Sequence, residues 1–335
     1  MEVLQRGRKQ AFAVKIQNLI TTKSEVRVLK VCIVGCGAVG SLFAAHLAQK
    51  GEAEVWAYDV WKEHVDAINK NGLRLSGAAD FTARLRATSD PAELPRCDYG
   101  IVATKAIHTR SAIAQVARAF DDRSAVCSVQ NGVGNEEILA EHVKYVVRGT
   151  TFPAGHPVAP GHIGFDIKGD TWIGPFEPTH TPMTKVEELA ALITRSGMNV
   201  IPLADARGAQ WTKLIFNAST NPVGALTQLH HGAATRFPFT GQLFNDLIAE
   251  GEAVAKALGI ELHGDPRALV QKGANAPGKH RASMFQDVAA RRQTEVDFMN
   301  GAIVEWGRKT GVPTPLNQAM WQLIKGLEHS WSDPD

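Results

Sequence analysis

The run Val31-Cys32-Ile33-Val34-Gly35-Cys36-Gly37-Ala38-Val39-Gly40 decides how this chain folds. Four apolar residues of the kind found in a buried parallel strand feed a Gly-x-Gly-x-x-Gly turn, and a helical pattern follows over residues 41–50. Each glycine has its own task in a turn of this kind. Gly35 permits the tight reversal, Gly37 lets backbone approach a pyrophosphate, and Gly40 allows helix and strand to pack closely. The phosphates would rest on N–H groups at the positive end of the helix. The expected cofactor-binding set is therefore Gly35, Cys36, Gly37, Ala38, Val39 and Gly40.

Outward from this turn, strand patterns recur at residues 54–58, 83–87, 100–104, 125–129 and 143–147, with helical patterns at 61–71, 108–120 and 183–195. Strands alternating with helices predict an α/β, Rossmann-type, doubly wound sheet. Between residues 150 and 202 the pattern is mixed and rich in Gly and Pro. Beyond Asp205 strand signals nearly vanish, and helices are expected at 207–226, 239–258, 266–274, 283–307 and 316–327. The expected organisation is an N-terminal extension over residues 1–28, a dinucleotide-binding domain over 29–205 and an all-helical domain over 206–330.

The bulk numbers exclude several classes. With 335 residues, 44% hydrophobic and 21% charged, the chain can bury two ordinary cores. Its net charge is +2, with Lys and Arg scattered among Asp and Glu, so neither nucleic acid nor a membrane surface is an expected partner. No apolar run approaches the ~20 residues of a membrane helix. Cys32, Cys36, Cys97 and Cys127 form no CxxC pair and lie in or beside apolar runs, which predicts buried thiols, no metal and a cytoplasmic location.

Three further places carry chemistry. Asp59 stands at the end of the second strand, nineteen residues beyond Gly40, where a carboxylate would accept both ribose hydroxyls and repel a 2′-phosphate, favouring NADH. A cap for the following helix is the alternative role. Lys105 and Asn131 follow the strands at 100–104 and 125–129, on the edge where ligands of open α/β sheets bind. Lys213, Asn217 and Asn221 recur every four residues, which places them on one helix face among apolar neighbours. That face predicts substrate contact, with Lys213 as proton donor. Patterning alone leaves Glu295 between a helix-start acid and a site residue, and Ser283 between a cap and a ligand.

Taken in order, GCGAVG at 35–40, Thr104-Lys105-Ala106, Gln130-Asn131-Gly132-Val133-Gly134, Gly149-Thr150-Thr151, the run from Lys213 to Pro222, Ser283-Met284-Phe285-Gln286-Asp287 and Thr294-Glu295-Val296-Asp297 resemble the ketopantoate reductase (2-dehydropantoate 2-reductase) family, from about Lys30 to Glu328. The resemblance implies hydride transfer from a nicotinamide dinucleotide to 2-dehydropantoate, giving pantoate. It implies Lys213 and Glu295 as catalytic residues, substrate contacts from Asn217, Asn221, Ser283 and Asn131, and cofactor contacts from Lys105, Asn131 and Glu295. The family often uses NADPH, gripped by an Arg after the second strand, where this chain reads Tyr58-Asp59-Val60. Its Asn-Gly after the lysine helix appears here as His231-Gly232, and residues 160–164 match the corresponding loop only loosely. Alternatives are an NAD-dependent enzyme for another 2-oxo or 2-hydroxy acid on the same scaffold, and a non-catalytic redox sensor. A homodimer through the helical domain is a further expectation.

Overall fold

A computed structural model describes residues 28–275 and 281–332, so the expected extension over 1–28 lies almost wholly outside the described residues. The strands are β1 (Leu29–Val34), β2 (Ala53–Tyr58), β3 (Leu73–Gly77), β4 (Phe81–Ala83), β5 (Arg86–Thr88), β6 (Tyr99–Val102), β7 (Ala125–Ser128), β8 (Tyr145–Thr151), β9 (Ala154–Ala159), β10 (His162–Ile167), β11 (Asp170–Pro175) and β12 (Asn199–Pro202). Eight of them form one sheet in the order β12-β11-β8-β7-β6-β1-β2-β5, parallel throughout except where β11 meets β8.

In β1 every second residue faces the same side, and both sides are buried. Val31 and Ile33 join Leu42, Phe43 and Leu47 of helix α1 (Ala38–Gln49), while Cys32 and Val34 join Ile113 and Val116 of the helix α3 (Thr109–Val116) beneath. This is why the strand is apolar at every position from Val31 to Val34. From β1 the chain passes outward to β2, through α2 (Lys62–Asn71), and then returns to β6 on the other side of β1. In open sheets of this kind such a reversal puts the ligand crevice beyond the carboxyl ends of the two strands, here β1 and β6.

The second sheet, β4-β3-β10-β9, is where the sequence reading fell short. Residues 83–87, read as one strand, divide between two sheets: β4 pairs antiparallel with β3 and β5 pairs parallel with β2, with Arg84 and Leu85 crossing between. The stretch after residue 150, whose pattern is mixed, holds the four strands β9 to β12. Pro157 is tolerated because β9 is an edge strand. Helix α4 (Asn135–Ala140) follows β7, and α5 (Met183–Arg195) packs on β11 and β12.

From Arg207 every described element is helical: α6 (Arg207–Thr227), α7 (His231–Arg236), α8 (Pro238–Ala257), α9 (Pro266–Ala274), α10 (Ser283–Ala289), α11 (Asn300–Thr310) and α12 (Pro315–Ser330). Their core gathers Trp211, Leu214, Ile215, Phe244, Leu247, Ile248, Ile303 and Ile324. Pro222 inside α6 lacks the N–H that would bond the Ala218 carbonyl, and the Asn300 amide donates to that carbonyl at 2.9 Å instead. The single helix expected over 283–307 is broken. Arg291 takes a left-handed φ of 47° and Arg292 N–H returns to the Asp287 carbonyl at 2.8 Å, a termination that glycine usually signals and here does not.

Candidate active site

The glycine turn fits a dinucleotide. Gly35 has φ +87°, and a side chain there would meet the Thr104 backbone nitrogen at 2.8 Å; one at Gly40 would lie 1.9 Å from the Gly35 carbonyl oxygen. At Gly37, by contrast, an added Cβ meets nothing within 4 Å, which leaves an open face in the turn itself. Gly37 also offers no side-chain cap to α1, whose first turn carries no acidic residue, so its N–H groups are compatible with a phosphate. Cys36 is bonded on both sides within the turn. Its N–H donates to Asp59 Oδ2 at 2.7 Å, its thiol lies 3.4 Å from Ser41 Oγ, and burial pushes that thiol up to about 12.

Asp59 is bonded to the glycine turn and to the approach to α2, a helix that opens with no side-chain cap. Besides holding Cys36, its Oδ1 accepts the N–H of Trp61 at 2.9 Å, just before α2. A carboxylate has acceptor capacity beyond these two bonds, and Asp59 is half-buried, so ribose hydroxyls can still be bound.

Across the crevice, four sequence-predicted residues come together. Glu295 is buried; Oε1 accepts the Ala106 N–H at 2.8 Å, while Oε2 lies 3.4 Å from Asn131 Nδ2 and 3.7 Å from Lys105 Nζ. Asn131 Oδ1 in turn stands 3.5 Å from Asn217 Nδ2. The turn at Asn131 depends on Gly132, with φ +83° and no room for a side chain, since a Cβ would lie 2.2 Å from the Phe298 carbonyl oxygen. Gln130 beside it donates to Thr104 Oγ1 and Thr109 Oγ1 at 3.0 and 2.7 Å, which locks the two strand ends together.

Lys213 projects from α6 and is half-buried. Its ammonium donates to the Thr151 carbonyl at the end of β8 and lies 5.4 Å from the centre of the Phe152 ring. Burial lowers Lys213 to about 8, and the charge of Glu295 opposes the shift. Glu295 thus reaches Lys213 through its field, with its oxygens committed to Ala106, Asn131 and Lys105. Asn221 is buried one turn beyond Asn217, with its amide 3.7 Å from Met299 Sδ. Ser283 opens α10, which packs against α6.

Models of two families match the chain: "Ketopantoate reductase PanE/ApbA" over residues 31–178 and "Ketopantoate reductase PanE/ApbA C terminal" over residues 205–328. The chain belongs to the ketopantoate reductase family. It is 32% identical over 307 residues to the 2-dehydropantoate 2-reductase of Archaeoglobus fulgidus, covering 90% of this chain and 99% of that one. Identity to the Pyrococcus abyssi enzyme of the same name is also 32%, over 90% and 98% of the two chains. Among solved structures, the family member from Ralstonia eutropha JMP134 matches with a TM-score of 0.81 at 31% identity, covering 91% of this chain and 100% of that chain. A D-mandelate dehydrogenase solved with NADH and anilino(oxo)acetate matches with a TM-score of 0.83 at 25% identity and the same coverage.

Two site residues escaped the sequence reading of this ketopantoate reductase relative. Asp287, 3% exposed, accepts Lys105 Nζ at 2.5 Å and Arg292 Nη2 at 3.3 Å. It stands in a motif the sequence displays, but a lone Asp inside a helix pattern has no local mark of a partner elsewhere. Glu328 of α12 accepts the N–H and hydroxyl of Thr294 at 2.8 and 2.6 Å and so braces the residue next to Glu295. His231 goes the other way: buried in the helical core, it has Nε2 2.9 Å from the Val270 carbonyl.

Proposed function

We propose that this protein reduces 2-dehydropantoate to pantoate with a nicotinamide dinucleotide, with Lys213 as the proton donor. The observation that carries the reading is the placement of Lys213: a half-buried ammonium lowered to about 8, in the helix that faces Asn131 and the carboxyl edge of the sheet. A donor of that acidity is mostly protonated at neutral pH yet gives its proton more readily than an ordinary lysine.

A bound dinucleotide would be held by Gly35, Cys36, Gly37, Ala38, Val39 and Gly40 and by Asp59 at the ribose, and would supply the hydride. The chain's own groups do the rest. Lys213 hydrogen-bonds the substrate carbonyl oxygen and protonates it as negative charge develops there, an interaction strongest in the transition state. Asn217, Asn221 and Ser283 orient the substrate from the helical half. Asn131 and Lys105 serve where cofactor and substrate meet, and Glu295 holds both in place while its charge keeps Lys213 protonated.

NADH is the proposed cofactor, because Asp59 stands where a 2′-phosphate would be repelled. A cytoplasmic location accords with four free, buried cysteines. No helix among the described residues is long and apolar enough to cross a membrane. A homodimer is proposed through the helical half.

Absorbance of the reduced nicotinamide, followed with 2-dehydropantoate and with NADH or NADPH in separate cuvettes, tests the reading. The likeness to an NADH-bound D-mandelate dehydrogenase, together with Asp59, supports a second reading: an NADH-dependent enzyme for a different 2-oxo acid. Oxidation of NADH by phenylglyoxylate but not by 2-dehydropantoate would select it.

A further inference from the structure

Beneath the cleft lies a buried carboxyl group that the mechanism above does not use. Glu136, in the first turn of α4, is fully buried, and Gln210 of α6 donates to its Oε1 at 2.8 Å. The same Gln210 nitrogen lies 3.3 Å from the Gly132 carbonyl, next to Asn131. From the other side, Arg148 of β8 donates to Gln210 Oε1 at 2.7 Å and contacts Glu177 at 3.2 Å. One amide therefore joins the Asn131-Gly132 turn, a buried acid and a buried guanidinium, and it stands three residues before Lys213 on the same helix.

We propose that Glu136 is a positioning residue: through the Gln210 amide it sets the spacing between the Asn131-Gly132 turn and the helix that carries Lys213. The proposal rests on the reading of Asn131 and Lys213 as reaction groups. Glu136 Oε2 and Arg148 Nε have no hydrogen-bond partner, so Gln210 supplies the side-chain hydrogen bond to Glu136, while Arg148 is held by Gln210, by Glu177 and by the Phe176 ring. Reactions of oriented groups are sensitive to such ties, since a misplacement of about 1 Å can cost about a hundredfold in rate.

The tie is sensitive to charge. Burial raises Glu136 to about 7, with Arg148 opposing and Glu137 of the same helix adding to the rise. The other titratable group facing it is the Cys127 thiol of β7, which burial and Glu136 together push up; Arg110 of α3 is paired with Glu141. Ionised Glu136 accepts more strongly from Gln210 than neutral Glu136 does. Reduction should then show a rising limb near pH 7 from Glu136 and a falling limb near pH 8 from Lys213.

Two variants test this, Glu136→Gln, which keeps shape and removes charge, and Gln210→Leu, which removes the tie. Three measurements serve: NADH binding by fluorescence, kcat and KM for 2-dehydropantoate across neutral pH, and amide hydrogen exchange of residues 131–135 and 207–213. Expected for Gln210→Leu are NADH binding within about threefold of the parent, kcat lowered about ten- to hundredfold, and faster exchange in both segments. In Glu136→Gln the limb near pH 7 should vanish while the limb near 8 remains. Unchanged exchange with kcat within about twofold in both variants overturns the proposal, as does a limb near 7 that survives Glu136→Gln. The exchange measurement needs no substrate. A parent inactive on 2-dehydropantoate therefore counts against the substrate assignment, while the exchange result still decides the tie.

Discussion

Asp59 accepts the backbone N–H of Cys36 at 2.7 Å, so the acid that ends the second strand is bonded to the glycine turn that ends the first. The carboxylate is held in place before any cofactor arrives. A 2′-phosphate brought beside it would meet a like charge, at a cost of about 1 to 4 kcal/mol at dielectrics between water and a protein surface. The expected outcome is kcat/KM with NADH above that with NADPH by about one to three decades, narrowed in Asp59→Asn. Equal values for the two cofactors in the parent would reduce Asp59 to a brace for the turn.

Gly37 and Gly40 separate folding from cofactor binding. A side chain at Gly40 collides with the Gly35 carbonyl at 1.9 Å, so Gly40→Ala should lose about 1 to 3 kcal/mol or more of stability. Gly37 has φ −68° and open space, so Gly37→Ala should unfold within about 0.5 kcal/mol of the parent. Yet the added methyl stands where the pyrophosphate would approach. Urea unfolding and NADH fluorescence on the two variants check the pair; a Gly37→Ala protein that binds NADH normally counts against this face as the phosphate site.

Lys213→Ala should lower kcat at least about a hundredfold while NADH binding changes little, because the role proposed for the ammonium is on the substrate oxygen. Lys213→Arg should rescue only in part, since guanidinium holds its proton more tightly and spreads its charge over a plane. Near-normal turnover in the alanine variant would remove Lys213 from the mechanism.

The lowered pKa of Lys213 gives its pH dependence a sign. Reduction needs the ammonium, so its rate should fall as pH rises through about 8; oxidation of the hydroxy acid needs the free amine and should rise through the same range. The same shift favours folding at higher pH, because between about 8 and the ordinary lysine value the unfolded chain binds the extra proton. Profiles in both directions that run parallel through pH 8 would contradict the assignment.

Asp287 is predicted to matter as much as residues that face the cleft. Its carboxylate, 3% exposed, holds Lys105 from the opposite half of the molecule at 2.5 Å. Asp287→Asn should cost about 1 to 3 kcal/mol and raise KM for the dinucleotide or the oxo acid by freeing Lys105. Thermal unfolding together with steady-state kinetics reads both; an unchanged KM would make the pair purely structural.

The glycine turn, the buried β1 strand and the succession of helices after Arg207 were legible in the sequence because each is written locally. A tight turn needs glycine within six residues, a strand buried on both faces needs apolar residues throughout, and a helix shows its period within two turns. Residues 83–87 show the limit of such patterns, since an apolar run does not say which sheet it joins. The break between α10 and α11 is the same lesson, for Arg291 takes a left-handed turn without a glycine to announce it.

By itself the sequence determined the order of elements, the turn that suits a dinucleotide and the helix face that carries Lys213, Asn217 and Asn221. Only the tertiary structure decided that Asp287 meets Lys105 across 182 residues of chain, that Glu295 spends its oxygens on Ala106 and Asn131, and that Gln210 joins Glu136 to the Gly132 carbonyl. The reason is physical. Dihedral preference and apolar period act between near neighbours, whereas the partner of a buried charge is whichever group the packing of two domains brings within hydrogen-bond reach.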